Sequence, residues 1–282
     1  MKRIFLVQSI LALSLMIGGT LAAQSKGGDR LTVPLSDPSR PAFLKVGIIS
    51  GGITVRGTSG KEMIVQGTVR TEEGDEEERD TKERRKGLHR IPNPNSGLTA
   101  EEDDNVVTIG AGAMWGGRAI DISIEVPANT SMKLSTINDG DVEVSNVKGD
   151  LEVSNTNGSI SLTNVGGSAV LDALNGNITV TFATINPEKS MSFSSLNGSI
   201  DVTFPPSLKA RLKMKTEQGE IYSDFDIKME TSPAKMEDGE RTGRRGRYRV
   251  SLDKMMTGTV NGGGPEIQFK NLNGDIYIRK GK

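Results

Sequence analysis

Glycines stand at positions 140, 149, 158, 167 and 176, a constant step of nine residues. A fixed period restricts a chain to architectures that use one small unit repeatedly. The residues around those glycines repeat as well. Two positions after each glycine stand Val142, Leu151, Ile160, Ala169 and Ile178, and four positions after it Val144, Val153, Leu162, Leu171 and Val180. The residues between them, Glu143, Glu152, Ser161 and Thr179, are polar, and only Val170 departs. Alternation with a period of two marks a strand with one buried face, so both apolar columns are expected to point inward. The sixth position after glycine holds Asn146, Asn155 and Asn164 instead of a third apolar residue, which predicts that the chain turns there. Apolar residues return one position later at Val147, Val165 and Leu174, though not at Thr156, so the inward phase is expected to slip by one at each corner.

Two architectures use short strands joined by glycine turns. Asn157-Gly158, Asn175-Gly176, Asn197-Gly198 and Asn273-Gly274 are strong signals for two-residue hairpins and hence for a meander or sandwich. Hairpin partners, however, pair in mirror order, whereas these units match by translation. Translation favours a β-solenoid, parallel β-helix-like, in which each coil stacks on the last and like residues form ladders. The spacing then widens to 22 at Gly198 and 21 at Gly219, with the surplus falling near Pro187 and Pro205-Pro206. A last unit, Leu272 to Ile278 with its turn at Gly274, is expected to close the stack at the carboxyl end.

The flanking segments complete an all-β reading. Lys2 and Arg3, an apolar run from Ile4 to Ala23 and its small-residue end read as a secretory signal over 1–23, an uncleaved anchor being the alternative. Residues 24–41, polar and carrying Pro34, Pro38 and Pro41, suit a linker. The solenoid domain is expected over 42–282, less regular from 42 to 135, nonapeptide-like from 136 to 227 and closed by strands over 250–282. Two charged loop insertions interrupt it. Residues 71–86 carry eight acidic and five basic side chains with no apolar one, and 228–249 includes Arg241, Arg244, Arg245, Arg247 and Arg249. Both read as solvated loops, the second with a polyanion-binding patch as its alternative.

Composition removes several kinds of chemistry. With 35 basic and 36 acidic side chains the summed field holds no polyanion, so no nucleic-acid partner is expected. The chain has no cysteine and one histidine, His89, which excludes disulfides, thiolate sites and any site built on two imidazoles. Asp141 and Asp150 follow two repeat glycines, but Ser159, Ser168 and Asn177 follow the others, too thin a set for a calcium ladder needing six or more oxygens. Glu143 and Glu152, one repeat apart, lie on neighbouring coils or on opposite faces, and nothing in their spacing makes one an acid and the other a base. Gly51-Gly52 and Gly262-Gly263-Gly264 lack the Lys-Ser/Thr of a phosphate loop. Trp115, the only tryptophan, reads as core packing, with sugar stacking as its alternative. No cofactor is expected.

The strand Ile122 to Pro127, the repeats from Asn138 to Val180, the units Leu196 to Val202 and Gly219 to Phe225, and the glycine-rich Gly262 to Ile267 together resemble the bacterial putative adhesin family, long catalogued as a domain of unknown function. The resemblance covers most of residues 42 to 282. It implies a β-solenoid exported to the periplasm, cell surface or medium, and brings no catalytic residues with it. The resulting expectation is a noncatalytic, adhesin-like solenoid that presents ladders of polar side chains to a surface glycan or protein. No stable membrane span is expected after signal cleavage, and the end strands make end-to-end self-association an expectation. The alternatives are a polysaccharide lyase or hydrolase on a β-helix, and an envelope scaffold or stress sensor.

Overall fold

The computed structural model describes residues 29–70, 97–111, 119–230 and 255–282. The export signal, the acidic run, His89, Trp115 and the arginine-rich run lie outside the described residues. Within them the chain forms strands only. The first group comprises β1 (Asp29–Pro34), β2 (Ala42–Gly47), β3 (Ile53–Thr58), β4 (Glu62–Val69), β5 (Leu98–Asp103), β6 (Val106–Ala111) and β7 (Ile120–Pro127). The repeats supply β8 (Thr130–Thr136), β9 (Val142–Ser145), β10 (Leu151–Asn157), β11 (Ile160–Val165), β12 (Ala169–Asn175), β13 (Ile178–Phe182), β14 (Met191–Asn197) and β15 (Ile200–Phe204). The last group comprises β16 (Ala210–Gln218), β17 (Ile221–Ser223), β18 (Lys228–Met229), β19 (Met256–Val260), β20 (Glu266–Asn273) and β21 (Ile276–Lys280).

These strands build a β-solenoid of two facing, mostly parallel sheets. Ten lie in the order β1-β4-β7-β3-β9-β11-β13-β15-β21-β17 and eleven in the order β18-β19-β16-β20-β14-β12-β10-β8-β2-β6-β5. Leu151 lies beside Ala169 and Ile160 beside Ile178, partners 18 positions apart. One coil is therefore two nonapeptides, with consecutive units on opposite sheets. The expectation that successive nonapeptides stack directly is corrected: every second one does. Burial explains the arrangement, because a strand with one apolar face needs an opposing sheet to cover it. Val142, Ile160 and Ile178 on one sheet face Leu151, Ala169 and Leu171 on the other, all at most 2% exposed. Each of the buried valine, leucine and isoleucine side chains contributes roughly 1.5 to 3 kcal/mol.

The two kinds of unit end differently. On the ten-stranded sheet the chain turns at Asn146 and Asn164, whose φ angles of 58° and 55° are left-handed, a conformation Asn tolerates better than most residues. Val147 and Val165 then fall inside, fully buried. On the eleven-stranded sheet no turn occurs at the sixth position. β10 continues through Asn155, which is buried, and Leu174 keeps the pleat and faces outward at 44% exposure, against the expected inward phase. The buried Asn155 side chain donates from Nδ2 to the carbonyls of Gly140 and Ser159, at 3.0 and 3.2 Å. Thr136, Ser195, Asn271 and Thr216 stand at the same place in other coils and donate to the carbonyls of Gly51, Gly176, Gly198 and Gly274. An internal polar ladder, interrupted at Ala173, thus supplies donors to the corner glycine carbonyls.

Two coils, one early and one late in the chain, are interleaved into the stack. The coil β2/β3 inserts between β6/β7 and β8/β9, and β20/β21 inserts between β14/β15 and β16/β17. Two expectations change as a result. Residues 29–34, assigned to a linker, form β1, which pairs antiparallel with β4. The carboxyl-terminal unit does not close the stack but lies within it, and the end is covered by β16, β19 and β18, joined antiparallel. Its insertion also completes an aromatic core. Phe182 stacks on Phe204 at 5.3 Å and Phe193 on Phe269 at 5.1 Å, with edge-on contacts between the two pairs.

The repeat glycines occupy the corners where coils approach. A Cβ on Gly158 would lie 2.2 Å from the carbonyl oxygen of Gly140, and one on Gly176 would lie 2.0 Å from that of Gly158. Gly158 also has a φ of 152°, costly for any other residue. We expect Gly158→Ala to cost about 3 kcal/mol or more, from backbone strain and the steric clash together. Gly60→Ala, an exposed position whose nearest neighbour is the Thr58 hydroxyl at 3.1 Å, should change stability by less than about 1 kcal/mol. Denaturant unfolding of the two variants checks this. Asn155→Ala should cost about 1 to 3 kcal/mol, because it removes the side-chain donor to the part-buried Gly140 carbonyl, whereas the Ser159 carbonyl keeps the Val142 N–H. Asn155→Ser, which copies Ser195, should recover most of that loss in the same measurement.

Candidate binding groove

Because β10 and its stacked counterparts run straight to the glycine corner, two side-chain rows stand side by side on the outside of the eleven-stranded sheet. One row is Ser154, Asp172, Ser194, Lys270 and Lys215, each beside the next in register. The other, two residues further along each strand, is Thr156, Leu174, Leu196, Leu272 and Glu217. Between the rows runs a groove of about 560 Å3 lined by these residues. Leu174, Leu196 and Leu272 are 44%, 38% and 38% exposed and form an unbroken apolar strip across three adjacent strands. Single exposed apolar side chains are ordinary, and the alignment of these three makes one continuous apolar strip.

The charges in the groove are arranged unevenly. Lys215 pairs with Glu217 at 3.0 Å. Neither Asp172 nor Lys270 forms a salt bridge with any described residue. Partial burial, and then the nearby Glu152 carboxylate, hold the Asp172 carboxyl above the usual carboxylate range. Beside the leucines runs a second ladder, in which Asn157 donates to Asn138, Asn175 to Asn157, Asn197 to Asn175 and Asn273 to Asn197, at 2.7 to 2.9 Å. These amides serve one another and stiffen the edge of the groove.

The residues singled out in the sequence are placed mainly around the core. Gly140, Gly158, Gly176, Gly198, Gly274 and Gly219 stack along one corner, and Gly149 and Gly167 along the other. Val144, Val153, Leu162 and Val180 are at most 1% exposed. None of these lines the groove. Glu143 projects from the ten-stranded sheet and Glu152 from the eleven-stranded one, so the two cannot act on one bond. Glu152 instead pairs with Lys133 at 2.7 Å. Asp141 and Asp150 accept hydrogen bonds from the backbone N–H groups of Ser159 and Ser168, one coil on. Their place is in the turns. Among the described residues no group of three or more metal-ligating side chains converges. The sequence reading missed Leu196 and Leu272, although the recurring triplet Leu-Asn-Gly at 174, 196 and 272 marks the row. It also missed an exposed stack of Tyr222 on Tyr277, 5.3 Å apart on the opposite sheet, with the Arg279 guanidinium 5.2 Å from the Tyr277 ring. The Glu220 carboxylate, hydrogen-bonded to the Tyr222 hydroxyl, pushes that group up to about 12.

Residues 117–261, just over half of the chain, match the family described as Toastrack DUF4097. The chain belongs to the Toastrack DUF4097 family. The match agrees with the resemblance drawn from the repeats, and the Toastrack segment carries β7 to β19, leaving the intercalated β20/β21 coil outside it. Among solved structures, the Toastrack chain is similar to a putative cell adhesion protein from Clostridium sporogenes, at 11% identity over 90% of this chain and 100% of that one, with a TM-score of 0.44. It is similar to a putative adhesin from Bacteroides fragilis, at 11% identity over 91% and 98%, with a TM-score of 0.33. A putative lipid binding protein from Parabacteroides distasonis gives 10% identity over 91% and 98%, with a TM-score of 0.27. No curated protein matches the chain significantly.

Two aspartates in this Toastrack domain should carry opposite pH signatures. Asp172 is raised, so folding favours its protonated form and its contribution worsens as pH climbs through the raised value. Asp172→Asn should therefore gain in melting temperature on the parent between pH 3 and pH 7. At Asp150 burial acts upward but is outweighed by hydrogen bonds from Lys189 and Ser168, and the carboxyl is lowered. Its stabilisation is present above the ordinary carboxylate value and is lost as pH falls through the lowered one. Asp150→Asn should melt below the parent at pH 7, with the gap closing towards pH 2. Calorimetric melts across that range read both.

Proposed function

We propose that this protein is an exported, noncatalytic, adhesin-like solenoid whose groove on the eleven-stranded sheet engages a partner at the cell envelope. The carrying observation is the open leucine strip at Leu174, Leu196 and Leu272, set on rigid stacked strands beside an uncompensated Asp172 and Lys270. Preorganised surfaces of this kind suit binding, because little conformational entropy remains to be lost. Export rests on the basic, apolar and small-residue order of residues 1–23. The noncatalytic reading rests on the separation of Glu143 from Glu152 onto opposite faces.

A hydrolase reading has one observation in its favour, the raised Asp172 carboxyl near Glu152. The two readings separate in a single experiment. The full chain is incubated with isolated envelope fractions and, in parallel, with cell-wall and plant polysaccharides. Binding expects retention on the envelope fraction, at least tenfold weaker for Leu196→Asp with an unchanged melting curve, and no new reducing ends or unsaturated products. Product formation abolished by Asp172→Asn would establish the hydrolase instead. Envelope retention unaffected by Leu196→Asp would remove the groove from the function.

A further inference from the structure

Several outward charges on this solenoid find their partners one strand away. Lys133 reaches Glu152 at 2.7 Å, Lys213 reaches Glu266 at 2.8 Å, and Arg279 reaches Asp201 at 2.7 Å. Each pair joins adjacent strands, β8 to β10, β16 to β20 and β21 to β15. In the groove no such pair forms between Asp172 and Lys270. Ser194 on β14 stands between Asp172 on β12 and Lys270 on β20, so anion and cation are held two strands apart. Two inter-strand steps amount to about 9.5 Å between the backbones, and the two side chains are not paired with each other. Opposite them, over the same three strands, lie Leu174, Leu196 and Leu272. The groove therefore presents one negative site, one positive site and an apolar wall of the same length, with a hydroxyl at its midpoint.

We propose that the groove binds a short zwitterionic peptide with apolar side chains, its amino terminus at Asp172 and its carboxylate at Lys270. An extended chain spans about 3.3 to 3.6 Å per residue, so three residues cover the distance between the two charges. The ligand lies along the stacking axis, with its apolar side chains against Leu196 and its neighbours and a peptide group facing the Ser194 hydroxyl. Lys215, already paired with Glu217, flanks the carboxylate end. A fatty anion fits less well, because its tail would pass Asp172 and leave that carboxylate uncompensated beside hydrocarbon. The inference rests on the groove being the functional surface.

Calorimetric titration of the full chain with Ala-Leu-Ala tests it, alongside the same peptide acetylated at its amino terminus, the same peptide amidated at its carboxyl terminus, and decanoate. The free peptide should bind one to one, and each cap should weaken binding at least tenfold. In Asp172→Asn acetylation should no longer matter, and in Lys270→Gln amidation should no longer matter, a double-mutant pattern that general damage to the fold would not produce. Failure of the free peptide to bind at millimolar concentration, or equal binding of capped and free forms, overturns the proposal. Decanoate binding that Leu196→Asp abolishes, with no peptide binding, would overturn the peptide and keep the groove. Envelope retention indifferent to Leu196→Asp would overturn the groove itself.

Discussion

The distance at which parallel strands hydrogen-bond, about 4.8 Å, governs this molecule. Every coil must repeat the path of its neighbour at that separation, and at the corners backbone meets backbone with no space between. Gly158 against Gly140 and Gly176 against Gly158 leave no room for a Cβ. The same spacing forces equivalent residues into contact, so each position in the repeat becomes a column and must be chemically compatible with copies of itself. Valine, leucine and isoleucine satisfy this inside by packing. Asparagine satisfies it outside by donating to the next amide, as Asn175 does to Asn157. Charged residues do not, and where like charges fall side by side, as Lys45 beside Lys133 and Lys270 beside Lys215, one of the two is paired with a glutamate, Lys133 with Glu152 and Lys215 with Glu217.

In a simple solenoid each repeat touches only its neighbours in sequence, and stability is close to a sum of local terms. Intercalation of the two terminal coils changes that. Asn273 donates to Asn197, 76 positions away, and Arg279 reaches Asp201, 78 positions away. The coil β14/β15 is therefore uncovered on one side until the carboxyl-terminal strands arrive, and with it the rings of Phe193 and Phe204. Ordering of the stack is consequently nonlocal, and its ends are tied to its middle. Three of the four sheet edges are blunted at the same time: β5 carries Glu101, Glu102 and Asp103, β18 is two residues long, and β17 is three. Short or charged edges discourage a further strand from adding.

The sequence resolves the repeat, its glycines and its apolar columns because those are local, and locality is what a period measures. It does not resolve which strands lie side by side. Nothing within Leu272 to Ile278 distinguishes a closing unit from one inserted beside β14 and β15, since both need the same inward Ile276 and Ile278. The nine-residue step likewise conceals that alternate units differ. Asn146 and Asn155 occupy the same offset, yet the first turns the chain in a left-handed conformation and the second extends it with a buried side chain. Leu174, one position after that offset, reads as inward in the sequence for that reason. The groove was hidden by the same ambiguity, because a leucine column reads as core until the strand is known to run straight to its glycine.

That column is the one place where the ladder rule is met by apolar residues on the outside. Leucines stacked there bury part of one another's surface, so the strip is stable as a column while still leaving each member more than a third exposed. Polar residues would serve solubility better, and they occupy the two ends of the same row, at Thr156 and Glu217. The strip is thus bounded, three strands long, and matched in length by the gap between Asp172 and Lys270. A surface whose apolar extent and charge separation coincide has a defined length of ligand built into it. That length is set by inter-strand spacing, which no side-chain substitution can alter, while the chemistry at each end depends on one residue. Specificity in such a groove can change residue by residue without disturbing the stack that supports it.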